Sequence, residues 1–230
     1  IEAITSRTIS KSENLAKKYK IPNVNKNIKD LLRKNNLDAI LIFVSAEEIF
    51  KVTMQVIKFK IPFFLEKPAG LNYFETKKLC TLSSKYKIKN MVGLNRRYYS
   101  IFKQGKKILK KKGGFKGILI EGHERIWKIK KVVKKKILKN WLFANSIHTI
   151  DLLRFFGGEI KRYKIFSNHS DYKKNFCISI KYKNGAVGTY VSNWNSPGGW
   201  SVKIFGDGFT LLFDPLEKGK FIFKSKKIVN

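Results

Sequence analysis

Over residues 1–95, short apolar runs alternate with segments of helical spacing. Ile1–Thr5 predicts a strand, and Ser12–Tyr19 predicts a helix with a serine N-cap that stops before Pro22. Ile28, Leu31 and Leu32 share one side of a short amphipathic helix over Ile28–Lys34. Asp38–Ser45 is almost continuously apolar, the pattern of a parallel strand covered on both faces. A helix over Glu47–Lys58, a strand opening at Phe63, a helix over Tyr73–Tyr86 and a strand at Asn90–Leu94 continue the rhythm. Alternation of this kind predicts a doubly wound parallel sheet with right-handed crossovers.

After Asn95 the pattern changes. Tyr99–Lys112 reads as a basic helix closed by Gly113-Gly114, and Phe115–Ile126 as a long strand. Trp127–Asn140 is basic, so a loop or exposed helix is expected there, and its lysine-rich part Lys128–Lys139, with no regular apolar stripe, is expected to be solvated and dispensable for folding. Ser146–Phe156 is an amphipathic helix closed by Gly157-Gly158. From Ile160 onward, strands follow one another with turn signals, the clearest a hairpin at Tyr182-Lys183-Asn184-Gly185. The expected organisation is therefore an α/β domain over residues 1–95 and an α+β domain with a mostly antiparallel open sheet over residues 96–230.

A 43% hydrophobic and 13% aromatic chain of 230 residues is not a disordered one. No apolar run reaches membrane-spanning length; the longest, Ala39–Val44, is the size of a strand. Cys80 and Cys177 stand alone in no ligand spacing, which predicts neither a metal site nor a disulfide and fits a reducing cytoplasm. The formal net charge of +33 invites a nucleic-acid reading. Yet the excess is mainly lysine spread along the whole chain, not the arginine that reads phosphates and bases bidentately. No zinc pattern or aromatic–basic RNA signature accompanies it, so nucleic-acid binding stays a minor alternative.

Candidate chemistry concentrates at Glu66-Lys67-Pro68. The strand before it delivers these side chains at its carboxyl end, where open α/β sheets bind ligands. Pro68 holds Lys67 in extended geometry, so the amine leaves the strand in one direction, beside apolar surface that can tune its charge. In a lysine-rich chain a solvated lysine is the ordinary alternative.

Three further stretches line up with that one: Ser6-Arg7, Gly93-Leu94-Asn95-Arg96-Arg97-Tyr98, and Asn145-Ser146-Ile147-His148-Thr149-Ile150-Asp151. In this order along the chain they resemble the Gfo/Idh/MocA family of nicotinamide-dependent oxidoreductases. The resemblance implies a Rossmann domain that binds NAD(P), followed by a sheet domain that carries the substrate. It makes Lys67 and His148 the catalytic pair, facing each other across an interdomain cleft and acting on one hydroxyl. Cofactor contacts fall on Ser6, Arg7, Ser45, Glu66, Lys67 and Pro68, and substrate contacts on Asn95, Arg97, Tyr98, Asn145 and His148. No metal is implied. Two departures stand out. The glycine-rich pyrophosphate fingerprint is absent, so the chain reads as an N-terminally incomplete piece that opens on the family's second strand. Where the family often has an Asp four residues before the helix histidine, this chain has Ala144.

Arg7 after a small Ser6 suits a ribose 2′-phosphate, which favours NADP over NAD; a solvated arginine is the alternative. His148 is expected in the first turn of its helix with Asn145 or Ser146 as N-cap, where the positive helix end disfavours imidazolium. A histidine filling the helix–sheet contact is the competing reading, and His123 and His169 are read as structural. Trp141, Trp194 and Trp200 are read as core, with a sugar-stacking platform as the alternative. The expected activity is hydride transfer between the nicotinamide and a sugar or nucleotide-sugar carbon, in the cytoplasm, with the open sheet as the face for any homo-oligomer. A non-catalytic member that binds a sugar or a partner is the alternative that Ala144 favours.

Overall fold

Alternating elements at the start of the chain pair as parallel strands. The computed structural model describes residues 1–34, 36–168, 174–224 and 228–229, so His169 lies outside the described residues. The chain divides into two compact units, Ile1–Gly93 and Leu94–Asn230.

In the first unit the order is β1 (Ala3–Ile4), α1 (Ile9–Tyr19), β2 (Asn23–Val24), α2 (Ile28–Lys34), β3 (Ile40–Ile42), α3 (Ile49–Ile57), β4 (Phe63–Leu65), α4 (Tyr73–Lys85) and β5 (Asn90–Val92). β1 pairs with β2, β3 with β4 and β4 with β5, all parallel. Ile40, Ile42, Phe63 and Leu65 turn inward with Ile49, Val56, Ile57 and Leu79 from α3 and α4 to make the core. Full cover on both faces, expected from the apolar run at Asp38–Ser45, is not found: Leu41 and Phe43 are exposed, because strand alternation sends them to the face away from that core. The serine N-cap expected at Ser12 is also corrected. α1 starts three residues earlier, after an extended Thr8, and Ser12 is buried with its hydroxyl donating to Ser6 Oγ at 2.8 Å. α4 opens on a reciprocal cap: Asn72 Oδ1 accepts from the Glu75 amide at 2.9 Å, and Glu75 Oε2 accepts from the Leu71 amide at 2.8 Å.

The second unit opens with a 3₁₀ turn at Asn95–Tyr98 and continues with α5 (Ser100–Lys111), β6 (Gly117–Gly122), α6 (Ile126–Ile129) and α7 (Lys135–Lys139). A π turn over Leu142–Ser146 runs directly into α8 (Ile147–Gly157). Then come β7 (Ile160–Asn168), β8 (Asn175–Tyr182), β9 (Val187–Asn193), β10 (Trp200–Gly206), β11 (Phe209–Phe213), β12 (Gly219–Phe223) and β13 (Ile228–Val229). They form one sheet of order β13-β12-β11-β10-β6-β9-β8-β7, antiparallel throughout except for the parallel pair β6–β9. The expected hairpin turn at Tyr182–Gly185 is present, with Gly185 at φ 90°.

Helices α5 and α8 lay Phe102, Leu109, Leu152, Leu153 and Phe156 on one face of this sheet, against Ile118, Ile120, Tyr182, Tyr190, Val202, Ile204 and Phe213. Close approach sets where glycine is needed. A Cβ at Gly122 would overlap the Tyr190 hydroxyl and stand 2.8 Å from Thr149 Oγ1 of α8. The basic stretch after β6 departs from the expected solvated segment. Its lysines are exposed, but Ile126 and Leu138 are buried with Trp194, and Ile129 and Val133 pack on them. Irregular spacing of these apolar residues hid an anchor of two short helices.

Candidate functional site

In the first unit the polar groups collect at the carboxyl ends of parallel strands. Ser6-Arg7 follows β1, Ser45 follows β3, Glu66-Lys67-Pro68 follows β4 and Gly93 follows β5. Arg7 and Ser45 are exposed. The Ser6 hydroxyl donates to Thr8 O at 2.7 Å, and the Ser45 carbonyl accepts from the Glu48 and Ile49 amides at 2.9 and 3.1 Å, starting α3. Glu66 is tied to both neighbouring strand ends: its amide donates to Ile42 O at 3.0 Å, and its Oε2 would stand 3.3 Å from a Cβ at Gly93. Lys67 and Glu66 are half-buried, and Pro68 is buried behind a cis bond from Lys67. Polar side chains at the carboxyl ends of strands in both small parallel sheets, one of them an exposed arginine, are a set that fits a dinucleotide.

In the second unit, Asn95 and Tyr98 are exposed on the 3₁₀ turn while Arg97 is half-buried. Arg97 forks onto both carboxylate oxygens of Asp151 on α8. That pairing, with the hydrogen bond as its largest contribution, raises the Arg97 pKa still further, so the guanidinium is permanently charged. The guanidinium expected to line a cleft thus anchors the turn to the helix that carries His148 and Asp151. Arg96 pairs with Glu217 at 3.2 Å and lies over the Tyr99 and Trp200 rings.

His148 is buried on α8, its ring 6.1 Å from that of Trp200. The expected N-cap is corrected. Ser146 has helical dihedrals and no capping bond, because the π turn before it continues into α8. Its hydroxyl instead donates to Glu124 Oε1 at 2.7 Å. α8 therefore has no free N-terminal end beside His148, contrary to the expectation.

Glu124 is the residue that sequence reasoning missed. It is 4% exposed. Besides Ser146, Asn145 Nδ2 stands 3.4 and 3.5 Å from its two oxygens. Burial raises the Glu124 pKa above the ordinary carboxylate range, opposed by Ser146, Trp141, Asn145 and Trp200. The indole N–H of Trp141 is buried without a hydrogen-bond partner in good geometry among the described residues. Glu124 also raises the already high Tyr190 pKa, which burial dominates, and Tyr190 shares a 3.1 Å contact with Thr149. A signal was available: Ile118, Ile120 and Gly122 alternate onto the helix-facing side of β6, and two residues on the same period is Glu124. Of the other candidates, Trp194 is 1% exposed and belongs to the core. His123 accepts from the Asn193 amide at 3.1 Å and lies 3.7 Å from Glu121. Cys80 and Cys177 are free and exposed, and no cluster among the described residues could hold a metal.

Two family models divide the chain in the same order as its units. Residues 1–94 match the oxidoreductase family NAD-binding Rossmann fold, and residues 128–211 match the GFO/IDH/MocA C-terminal domain. The chain belongs to the Gfo/Idh/MocA oxidoreductase family. Among solved structures, levoglucosan dehydrogenase in complex with NADH and levoglucosan superposes with a TM-score of 0.81 at 15% identity, over 98% of this chain and 68% of that one. An NAD-binding oxidoreductase from Klebsiella pneumoniae gives 0.83 at 14% identity, over 97% and 66% of the two chains. An oxidoreductase described as NADPH-dependent, from Desulfitobacterium hafniense, gives 0.81 at 18% identity, over 99% and 74%. The chain thus spans about two thirds to three quarters of the length of these relatives, and at such identities the likeness is one of fold. A search of curated proteins returned no match.

Proposed function

We propose that this chain is an NAD(P)-dependent oxidoreductase that interconverts an alcohol and a carbonyl on a sugar or nucleotide sugar. What carries the reading is Lys67: a half-buried lysine delivered from the carboxyl end of a parallel strand, within a family whose first domain binds NAD. The solved relative bound to NADH and levoglucosan supports a sugar as the substrate class.

Ser6, Arg7, Ser45, Glu66, Lys67 and Pro68 hold the dinucleotide, with Glu66 and Pro68 shaping the turn beside the reactive ring. A bound nicotinamide would supply the hydride acceptor or donor for the carbinol carbon. Lys67 exchanges the proton of the reacting hydroxyl. In the oxidation direction the O–H proton goes to Lys67 Nζ as the C–H bond breaks; in reduction the Lys67 ammonium returns it to the forming alkoxide. A neutral amine is required for oxidation. His148 orients or relays through the same hydroxyl. Asn95, Arg97, Tyr98 and Asn145 supply the remaining polar contacts to the sugar, with Arg97 keeping its fork on Asp151. Arg7, exposed after β1, accommodates a ribose 2′-phosphate, so NADP(H) binds more tightly than NAD(H).

The test is turnover of a panel of sugars and nucleotide sugars with each cofactor, for the native chain and for Lys67→Ala. The variant is expected to lose roughly 10²–10⁴ in kcat with cofactor affinity unchanged. Full turnover by Lys67→Ala overturns the mechanism, and tighter NAD(H) than NADP(H) in a fluorescence titration overturns the cofactor preference. Buried Ala144, in place of the carboxylate the family often has there, favours a second reading in which the protein binds a sugar without oxidising it. Saturable sugar binding with no turnover under any cofactor distinguishes that case. Affinity for nucleic acid that falls steeply with salt would instead mark the reading that the net charge invites.

A further inference from the structure

A carboxylate buried without a cation is costly, and a chain of net charge +33 had many cations to offer it. Yet among the described residues the hydrogen bonds to the Glu124 carboxylate come from neutral donors, Ser146 Oγ at 2.7 Å and Asn145 Nδ2 at 3.4 Å, and the nearby indoles of Trp141 and Trp200 also favour its charged form. Both donors belong to the turn that enters α8, immediately before His148. The carboxylate is thus tied by hydrogen bonds to the backbone segment that leads into His148, and Trp200, which also favours its charge, lies beside the imidazole. At Ala144 the helix entrance itself carries no acid.

The geometry points to Glu124 as a positioning residue for His148: a carboxylate brought in from the end of β6 that fixes Asn145 and Ser146 and supplies the negative charge Ala144 leaves out. Only the role of His148 in hydride transfer rests on the proposed function; the placement of its ring by Glu124 does not. Of the ionisable groups around it, Tyr190 from β9 interacts with Glu124 electrostatically, His123 and Arg125 flank it in the chain, and His148 follows its donors Asn145 and Ser146 on α8. With its charge present, Glu124 favours the imidazolium form of His148 and holds the ring in one orientation.

The experiment is a pH titration of the full chain, without cofactor or substrate, followed by NMR on ring-labelled histidine, each of the three signals assigned by single substitution. In Glu124→Gln the His148 midpoint is expected to move down by about half a pH unit or more, the direction that loss of a nearby negative charge dictates. Glu124→Asp, which keeps the charge, is expected to return it towards the native value. Ser146→Ala keeps the carboxylate and removes its closest donor; it is expected to alter the His148 ring shift even if Glu124→Gln does not fold. A His148 titration in Glu124→Gln that superimposes on the native curve overturns the proposal. So does an unchanged His148 signal in Ser146→Ala, should that be the only variant that folds. No turnover enters this readout, so full activity in Lys67→Ala would sink the proposed reaction and leave this result standing.

Discussion

Where β4 ends, Lys67 leaves the sheet half-buried, with the Ile42 carbonyl accepting from the amide of its neighbour Glu66. Where β6 ends, Glu124 stays under α8, 4% exposed and encircled by donors. Both strands present an ionisable group at the carboxyl end. The first belongs to a parallel sheet, whose strand ends open outward into turns. The second belongs to a sheet with helices on one face, and strand alternation carries its acid into the helix contact. On the proposed reading, the difference separates a group placed to meet a ligand from one placed to hold another side chain. It also predicts opposite responses to mutation: loss of chemistry with the fold intact at the first, changes in packing and titration at the second.

The largest expected effect breaks or sustains that contrast directly. Lys67→Ala should lose roughly 10²–10⁴ in kcat while thermal stability changes by no more than about 0.5 kcal/mol, since the side chain is not core. A variant that melts much earlier would put Lys67 among the structural residues. Next comes Leu138→Ala, expected to cost about 2–4 kcal/mol because Leu138 anchors the basic segment on Trp194 and Ile126. Reversing the exposed Lys130, Lys131, Lys135 and Lys136 to Glu should cost no more than about 0.5 kcal/mol each, so chemical denaturation of the two proteins separates anchor from solvated charge. Asp151→Asn should cost roughly 1–3 kcal/mol, because it leaves the Arg97 guanidinium without its carboxylate at the base of α8; an unchanged denaturation midpoint would show that the fork contributes nothing.

The smallest effect is one of pH. Because burial raises the folded pKa of Glu124 above its unfolded value, the native state binds more protons between the two. Stability therefore falls as pH rises from the ordinary glutamate range, about 4.3, through the folded value. Glu124→Gln removes that fall, so its melting temperature relative to the native protein should rise with pH and then level off. Parallel melting curves across the acid range would show that Glu124 titrates as a solvated acid. Glu121, on the opposite face of β6, has its pKa lowered mainly by the Ser201 hydroxyl. Its stabilisation is present at neutral pH and lost in acid, but it is common to both proteins and cancels in the comparison.

Local pattern and chemistry by themselves determined the architecture and the candidate chemistry at strand ends. Apolar runs separated by helical spacings specify parallel strands with crossovers, and a proline after Lys67 gives a turn wherever it occurs. The order of Ser6-Arg7, Glu66-Lys67-Pro68, Asn95-Arg96-Arg97-Tyr98 and His148-Thr149-Ile150-Asp151 carried the family. Boundaries were less legible. The helix expected from Ser12 starts at Ile9, and the one expected from Ser146 follows a π turn, because Ser12 and Ser146 spend their hydroxyls on Ser6 and Glu124 rather than on capping. A hydroxyl's choice between its own backbone and a distant partner depends on what packing brings near it. The same holds for the anchor inside the lysine-rich stretch, whose apolar residues are irregularly spaced and meet only around Trp194. It holds most of all for Glu124, twenty-two residues from Ser146, whose role exists only because β6 and α8 pack face to face. Periodicity reports which face a residue takes; only tertiary structure decides what waits on that face.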